Sequence, residues 1–436
     1  MAYPNPYDQP HQAPYQYQPQ GGHPPGYPPY NQQPGPYPPF QGYQPHGYPP
    51  QGAPGQGMPP QQHPQYNMPP NPPPFPPQQA PGQQWPQAVY PPQHTAGQYP
   101  PQAYNNYPPQ APAPVPLSLG YDPFQKAPGD ASREADALRK AMKGWGTDEA
   151  ALISVLTKPD PLQMALIRHT YTERIGRNLE KDLRSETSGS FEDVLVSLAL
   201  GPLGSDVTHL RKSLAGMGTN EKLLDDILIG RSNADLNAIK KAYTDKYQKS
   251  LTDDIKGDLS GKTERFFVML LDARRPENSA YFDSQSVDAD VRELHRAMEG
   301  QVGTDEVAVS AVFLGASDAK LCAISRVYEE RYHIGLDKVL DKEFSGHLHN
   351  ALVSILRRAR DPFQYDVEML ASCCTESSCD TDRLIYWMVR LHWDPMRFQA
   401  VKQALMQQRR LNCGTVLKKF YTGDFLKTML SLWEQR

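Results

Sequence analysis

The segment "MKGWGTDEAALISVLTK" at position 142 returns as "LAGMGTNEKLLDDILIG" at 214 and, altered, as "MEGQVGTDEVAVSAVFLG" at 298. A second element trails each copy: "DLRSETSGSFEDVLVSL", then "DIKGDLSGKTERFFVMLL", then "DKEFSGHLHNALVSIL". A weaker fourth unit runs from about 365, with "DTDRLIYWMVRL" and later "KKFYTGDFLKTMLSLW". A period of roughly 70–85 residues is too long for a solenoid of short repeats and suits four small helical domains in series. Within the first unit, Leu138, Ala141 and Met142 close one amphipathic stretch. Leu152, Val155 and Leu156 mark the next at i, i+3, i+4 spacing. Pro161 suits the first turn of a third helix carrying Leu162, Leu166 and Ile167. Leu179 and Leu183 lie on a short fourth, and Phe191, Val194, Leu195 and Leu198 on a fifth. No stretch alternates as a strand does. The pattern predicts an all-α body of about five helices per unit, and the long connection "DARRPENSAYFDSQS" predicts that the units group as two pairs.

Ahead of the body lies a different polymer. Positions 1–120 hold 38 of the 46 prolines and 14 of the 24 tyrosines, with no Lys or Arg and one acid, Asp8. Too few aliphatic side chains remain there to offset chain entropy, so the arm reads as disordered with local polyproline-II character. It lacks the basic start and apolar run of a signal peptide. Its tyrosine-rich, low-charge composition suits self-association or partner docking, and His11, His23, His46, His63 and His94 would make such association sensitive to pH. The chain totals −4 and Asp8 is the arm's one charge, so the body carries −3. Such a body attracts neither nucleic acid nor anionic lipid by bulk charge. No apolar run approaches the roughly 20 residues of a membrane span. The cysteines, Cys322, Cys373, Cys374, Cys379 and Cys413, are odd in number and irregular in spacing, which fits reduced thiols in the cytosol.

The glycines of the repeated turn are its chemical signal. Gly144 and Gly146 flank Trp145, and Gly216 and Gly218 flank Met217. Glycine tolerates positive φ, so successive carbonyls can turn toward one point. A hard cation such as Ca²⁺ takes about six to eight oxygens and favours carbonyls joined by a carboxylate. Forty residues on from Gly146 stands Glu186, from Gly218 Asp258, and from Gly303 Glu343. Chance puts an acid at all three places about once in several hundred trials. The Asp-Glu or Asn-Glu after each Gly-Thr reads as negative charge on a helix N-terminus, with Thr147 or Thr219 as the N-cap. In the fourth unit "CCTESSCDTD" has no glycine, and Phe420 occupies the acid's position, so that unit is expected not to bind calcium through this loop. Its Cys-Cys-x4-Cys group matches zinc spacing poorly. No P-loop, EF-hand loop or nucleophile–base arrangement is legible, which argues against an enzyme.

With these residues in view, the chain resembles the annexin family. "MKGWGTDEA" with Glu186 and "LAGMGTNEK" with Asp258 look like its type II calcium sites, and the arm resembles those of the long-tailed members. The resemblance divides the chain into a tail over 1–125 and repeats over 130–201, 204–273, 287–359 and 364–436. It implies a curved disc with calcium loops on the convex side and the arm on the concave side. Carried over, the carbonyls of Met142, Gly144 and Gly146 join Glu186, and those of Leu214, Gly216 and Gly218 join Asp258. "MEGQVGT" has one residue more, which makes Met298, Gln301 and Gly303 the donors with Glu343. Ala215 replaces a usual Lys or Arg and removes a basic lipid contact. The implied function is calcium-dependent, reversible attachment of a cytoplasmic protein to acidic phospholipid membranes. Trp145, Met217 and Val302 hold the same place between flexible loop residues and are expected to touch the lipid interface.

Overall fold

The computed structural model describes residues 115–435 apart from Met217 and Gln301. The long arm, residues 1–114, lies outside the described residues, and with it all that its composition suggests.

Among the described residues there are nineteen helices and no strand beyond one isolated bridge. The first repeat holds α1 (Ser132–Ala141), α2 (Glu149–Leu156), α3 (Pro161–Ile175), α4 (Leu179–Glu186) and the first part of α5 (Gly189–Ser213). Gly201 interrupts α5 with φ 71° and ψ −178°, just before Pro202. Residues 189–200 thereby close the first repeat and residues 202–213 open the second. With that division every repeat has five helical segments, as expected. The second continues through α6 (Glu221–Leu228), α7 (Asn233–Tyr247), α8 (Leu251–Asp258) and α9 (Gly261–Leu271). The third comprises α10 (Ser284–Met298), α11 (Glu306–Gly315), α12 (Asp318–Tyr332), α13 (Leu336–Glu343) and α14 (Gly346–Arg360). The fourth comprises α15 (Pro362–Cys373), α16 (Thr381–His392), α17 (Pro395–Arg409), α18 (Cys413–Phe420) and α19 (Gly423–Glu434).

The repeat is metrical as well as sequential. Each third helix has 15 residues, and each fourth helix has eight. The third helices start on a side-chain cap, Asp160, Ser232, Ser317 or Asp394, and stop at a left-handed residue, Gly176, Gln248, His333 or Arg410. At Asp160 the cap is reciprocal with Gln163, and Pro161 fills the first turn where its missing N–H costs nothing. Leu138, Leu152, Leu156, Met164, Leu183, Val194, Leu195 and Leu198 are fully buried, so the periodicity marks the core face. Val155, Leu162, Leu166 and Phe191 sit at its margin.

The repeats pack on one another in a closed circuit. α9 meets α11 and α14, α14 meets α15, and α19 returns to α2 and α5. Across the middle, α16 packs on α5 and α6. There Arg383 donates to both carboxylate oxygens of Asp226, at 2.5 and 3.0 Å, with both side chains almost fully buried.

The expected tail boundary at 125 reaches too far into the body. Tyr121 is only 2% exposed, its hydroxyl donates to Asp206, and Arg231 lies over its ring. Ser118 donates through both its N–H and its hydroxyl to Asp235. A single aromatic anchor and two short hydrogen bonds hold a segment whose proline content masked its packing.

Candidate metal centres

The turn between the first and second helices is closed in every repeat by one backbone hydrogen bond. Asp148 donates to Ala141, Asn220 to Ser213, Asp305 to Ala297 and Asp380 to Cys373, at 2.8–2.9 Å. The third turn spans one residue more than the others, as its sequence implies. The buried side chains of Met142, Leu214 and Met298 hold the start of the turn in the core. Beyond them the chain passes through left-handed glycines, with φ of 120° and 83° at Gly144 and Gly146, and 109° and 92° at Gly216 and Gly218. Gly303 has φ 82°. Among the described residues, no donor meets the carbonyl oxygens of Met142, Gly144, Gly146, Leu214, Gly216, Gly218 or Gly303. Unpaired carbonyls at an exposed turn are available to water or to a hard cation.

The acid reaches each turn by helix length. Glu186, Asp258 and Glu343 are each the last residue of an eight-residue helix. In the first repeat that helix is anchored by buried Asp182, which accepts from the Tyr171 hydroxyl at 2.6 Å and the Arg177 guanidinium at 2.6 Å. The Arg177 hydrogen bonds hold the Asp182 carboxyl below its usual range. Burial and then Asp182 push the Tyr171 phenol up. In the second repeat Asp254 accepts from the Tyr243 hydroxyl at 2.7 Å and the Arg211 guanidinium at 2.8 Å. In the third, Val339 stands at that position and Tyr328 donates instead to Glu299 of the turn, at 2.9 Å.

Threonine joins the two halves. Thr147 donates to the backbone carbonyl of Glu186 at 3.2 Å, Thr219 to the Asp258 carboxylate, and Thr304 to the Glu343 carboxylate at 3.1 Å. Thr147 and Thr219 were expected to cap the second helix. The caps are instead their neighbours, Asp148, Asn220 and Asp305, which accept from the N–H groups of Ala151, Leu223 and Ala308. The threonine hydroxyl is spent across the turn, and the shorter polar side chain one residue on has the reach for the helix end. The signal was in the sequence. Threonine precedes the acid by 39 residues three times over.

Among the described residues, no three His, Cys, Asp or Glu side chains gather into a metal-holding group. A cation at these corners would therefore rest on backbone oxygens with a single carboxylate. The turn in the third repeat is the most encumbered. Lys342 lies 3.0 Å from the Glu343 carboxylate and 3.6 Å from Glu299. Gln301, its expected middle donor, and Met217, an expected lipid contact, are outside the described residues. Trp145 and Val302 are fully exposed, at 106% and 107%.

The fourth repeat keeps the fold and replaces the site. A backbone bridge between Cys374 and Cys379 pinches its turn, and Thr375 binds the Ser378 carbonyl. Lys419, just before Phe420, donates to the Glu376 carbonyl at 2.7 Å. An ammonium thus lies against a loop carbonyl in this repeat. None of the cysteines forms a disulfide.

The annexin family model matches residues 133–198, 205–270 and 289–355, the three repeats with glycine corners. Annexin C1 of Cryptococcus neoformans var. grubii is 38% identical over 341 residues, which cover 77% of this chain and 71% of that protein. The chain belongs to the annexin family. Annexin A13 of Mus musculus is 34% identical over 304 residues, 70% of this annexin and 95% of the relative. The solved structure of annexin III superposes with a TM-score of 0.66 at 29% identity, covering 72% of this annexin and 97% of that chain. The annexin family is known for calcium-dependent binding to phospholipids. In this annexin no described helix is long and apolar enough to cross a membrane.

Proposed function

We propose that this annexin attaches reversibly to acidic phospholipid surfaces, from the cytoplasm, through calcium at the corners of its first three repeats. The reading rests chiefly on one observation: open glycine carbonyls and a helix-terminal acid meet in three repeats, whereas the fourth replaces them with Lys419 and Phe420. Met142, Gly144, Gly146 and Glu186 would hold one ion, and Leu214, Gly216, Gly218 and Asp258 a second. Met298, Gln301, Gly303 and Glu343 would hold a third once Lys342 swings away. Bound there, Ca²⁺ supplies uncompensated positive charge and open coordination positions for lipid phosphate oxygens.

The chain's own residues do the remainder. The body is mildly acidic, so without the ion it is repelled by an anionic bilayer. Threonines 147, 219 and 304 keep the acid beside the turn before any ion arrives, which lowers the ordering cost of binding. Trp145 and Val302 present apolar surface where the bilayer interface would lie, and an indole with a polar N–H suits that boundary. Met217 would complete the set. The arm would serve self-association or partner docking, tested by turbidity of full-length protein across pH and concentration. Co-sedimentation with phosphatidylserine vesicles in calcium and in chelator tests the central reading. Pelleting in calcium alone supports it, and equal partition in both conditions sinks it.

A further inference from the structure

Away from the glycine corners, a cavity of about 780 Å³ opens where the second, third and fourth repeats meet the packed segment at 115–121. None of the calcium-corner residues lines it. Four long helices begin at its wall: α7 at Asn233, α12 at Asp318, α15 at Pro362 and α17 at Pro395. Each contributes the positive end of its peptide dipole to one half-open cavity.

The side-chain charges do not cancel this field evenly. Three of the arginines at the wall are matched: Arg231 with Asp206 at 2.7 Å, Arg275 with Asp318 at 2.6 Å and Arg397 with Asp366 at 2.5 Å. Two are not. Arg390 donates only to neutral oxygens, the Asp226 carbonyl and the Tyr386 hydroxyl. Arg358 has no hydrogen bond or ion pair among the described residues, and its guanidinium lies across Gly230, where any side chain would collide with it. Burial first, and the Arg390 charge next, push the Arg358 guanidinium below its ordinary value. Of the five carboxylates at the wall, Asp206, Asp318 and Asp366 pair with arginines; Asp394 caps the backbone of α17, and neither it nor Glu277 has a cation partner among the described residues. Two further buried donors, Arg275 Nη2 and Trp393 Nε1, also lack acceptors. Leaving such donors unmatched is costly unless a ligand or water meets them.

We infer that this cavity binds a small phosphorylated anion, a phosphate monoester or pyrophosphate group, held between Arg358 and Arg390 and oriented by the converging helix N-termini. Guanidinium forks match phosphate oxygens two at a time. The volume admits an organic substituent, with Tyr121, Tyr386 and Trp393 as flat apolar walls.

Titration calorimetry of the full-length chain with sodium pyrophosphate, in chelator, tests the site. Saturable binding is expected for the native protein, weakened about tenfold or more in Arg358→Gln. Arg390→Gln should weaken it similarly. If that variant fails to fold because Arg390 also holds the Asp226 carbonyl, Arg358→Gln decides, since its side chain supports no other group. Pyrophosphate should also raise the melting temperature of the native protein and not that of Arg358→Gln. Calcium-dependent pelleting of Arg358→Gln with phosphatidylserine vesicles should be unchanged, which separates this site from the calcium corners. Displacement of pyrophosphate by phosphatidic acid vesicles would assign the phosphate to a lipid headgroup, and no displacement would assign it to a soluble molecule. Absence of saturable binding, or equal affinity in Arg358→Gln, overturns the inference.

Discussion

In the proposed attachment, Glu186 and Asp258 are the side chains on which calcium binding would turn most sharply. Each is the one carboxylate in a proposed ligand set otherwise built of neutral carbonyls, so the amide replacement lowers the local negative charge and exchanges one ligand oxygen for an NH2 group. Glu186→Gln with Asp258→Asn is expected to raise the calcium needed for half-maximal vesicle pelleting by about tenfold or more. Unaltered pelleting would remove these acids from the mechanism. Trp145→Ala should weaken pelleting while leaving calcium binding by the soluble protein intact, as read by calorimetry; loss of both would make Trp145 part of the turn's own packing. The acids were legible because one spacing recurred three times and failed in the fourth copy together with the glycines. The threonine bridges recur just as strictly, but a hydroxyl beside a helix start is read locally as a cap. Its partner 39 residues away is invisible without the fold.

At the scale of the helices, periodicity placed the core faces, and capping residues mark where the second and third helices of every repeat begin. The displaced caps are open to a direct test. Asp148→Ala should cost about 1 kcal/mol in chemical denaturation, whereas Thr147→Val should leave stability nearly unchanged and disturb calcium affinity; the reverse pattern would restore Thr147 as the cap. Less legible was how elements of different repeats share charge. α6 and α14 are joined by Asp225 and His347, 2.9 Å apart and both buried. Burial raises the Asp225 carboxyl to about 6, against the opposing pull of His347. The native state therefore holds a proton that the unfolded chain, at about 3.9, has already released. This contribution is favourable at low pH and is lost as pH rises through about 6, leaving a penalty at neutral pH of up to about 3 kcal/mol. Asp225→Asn should gain stability relative to the native chain at neutral pH and lose that advantage near pH 4, measured by denaturant titration at both. A difference independent of pH would mean that Asp225 does not titrate in this range.

Across the whole body, the four repeats are held by a few pairs that no periodic pattern foretells. Asp226 and Arg383 lie 157 positions apart and meet where the second repeat faces the fourth. Removing one charge strands the other in a dry interior. Asp226→Asn is expected to destabilise the fold by about 3–5 kcal/mol, seen as a lower thermal midpoint, and a midpoint unchanged within error would show that the pair is solvated in solution. The succession of repeats was readable from the recurring turn and acid. The closure of the last repeat onto the first was not, because nothing in a linear repeat says which ends touch.

That closure bears on how the molecule is made. α2 leaves the ribosome well over two hundred residues before α19, yet they pack together, and Gln435 donates to the carbonyl of Thr157. Until α19 emerges, the first repeat carries an apolar flank with no cover. A nascent chain stalled before α19 would expose that flank to every chaperone and neighbour in reach.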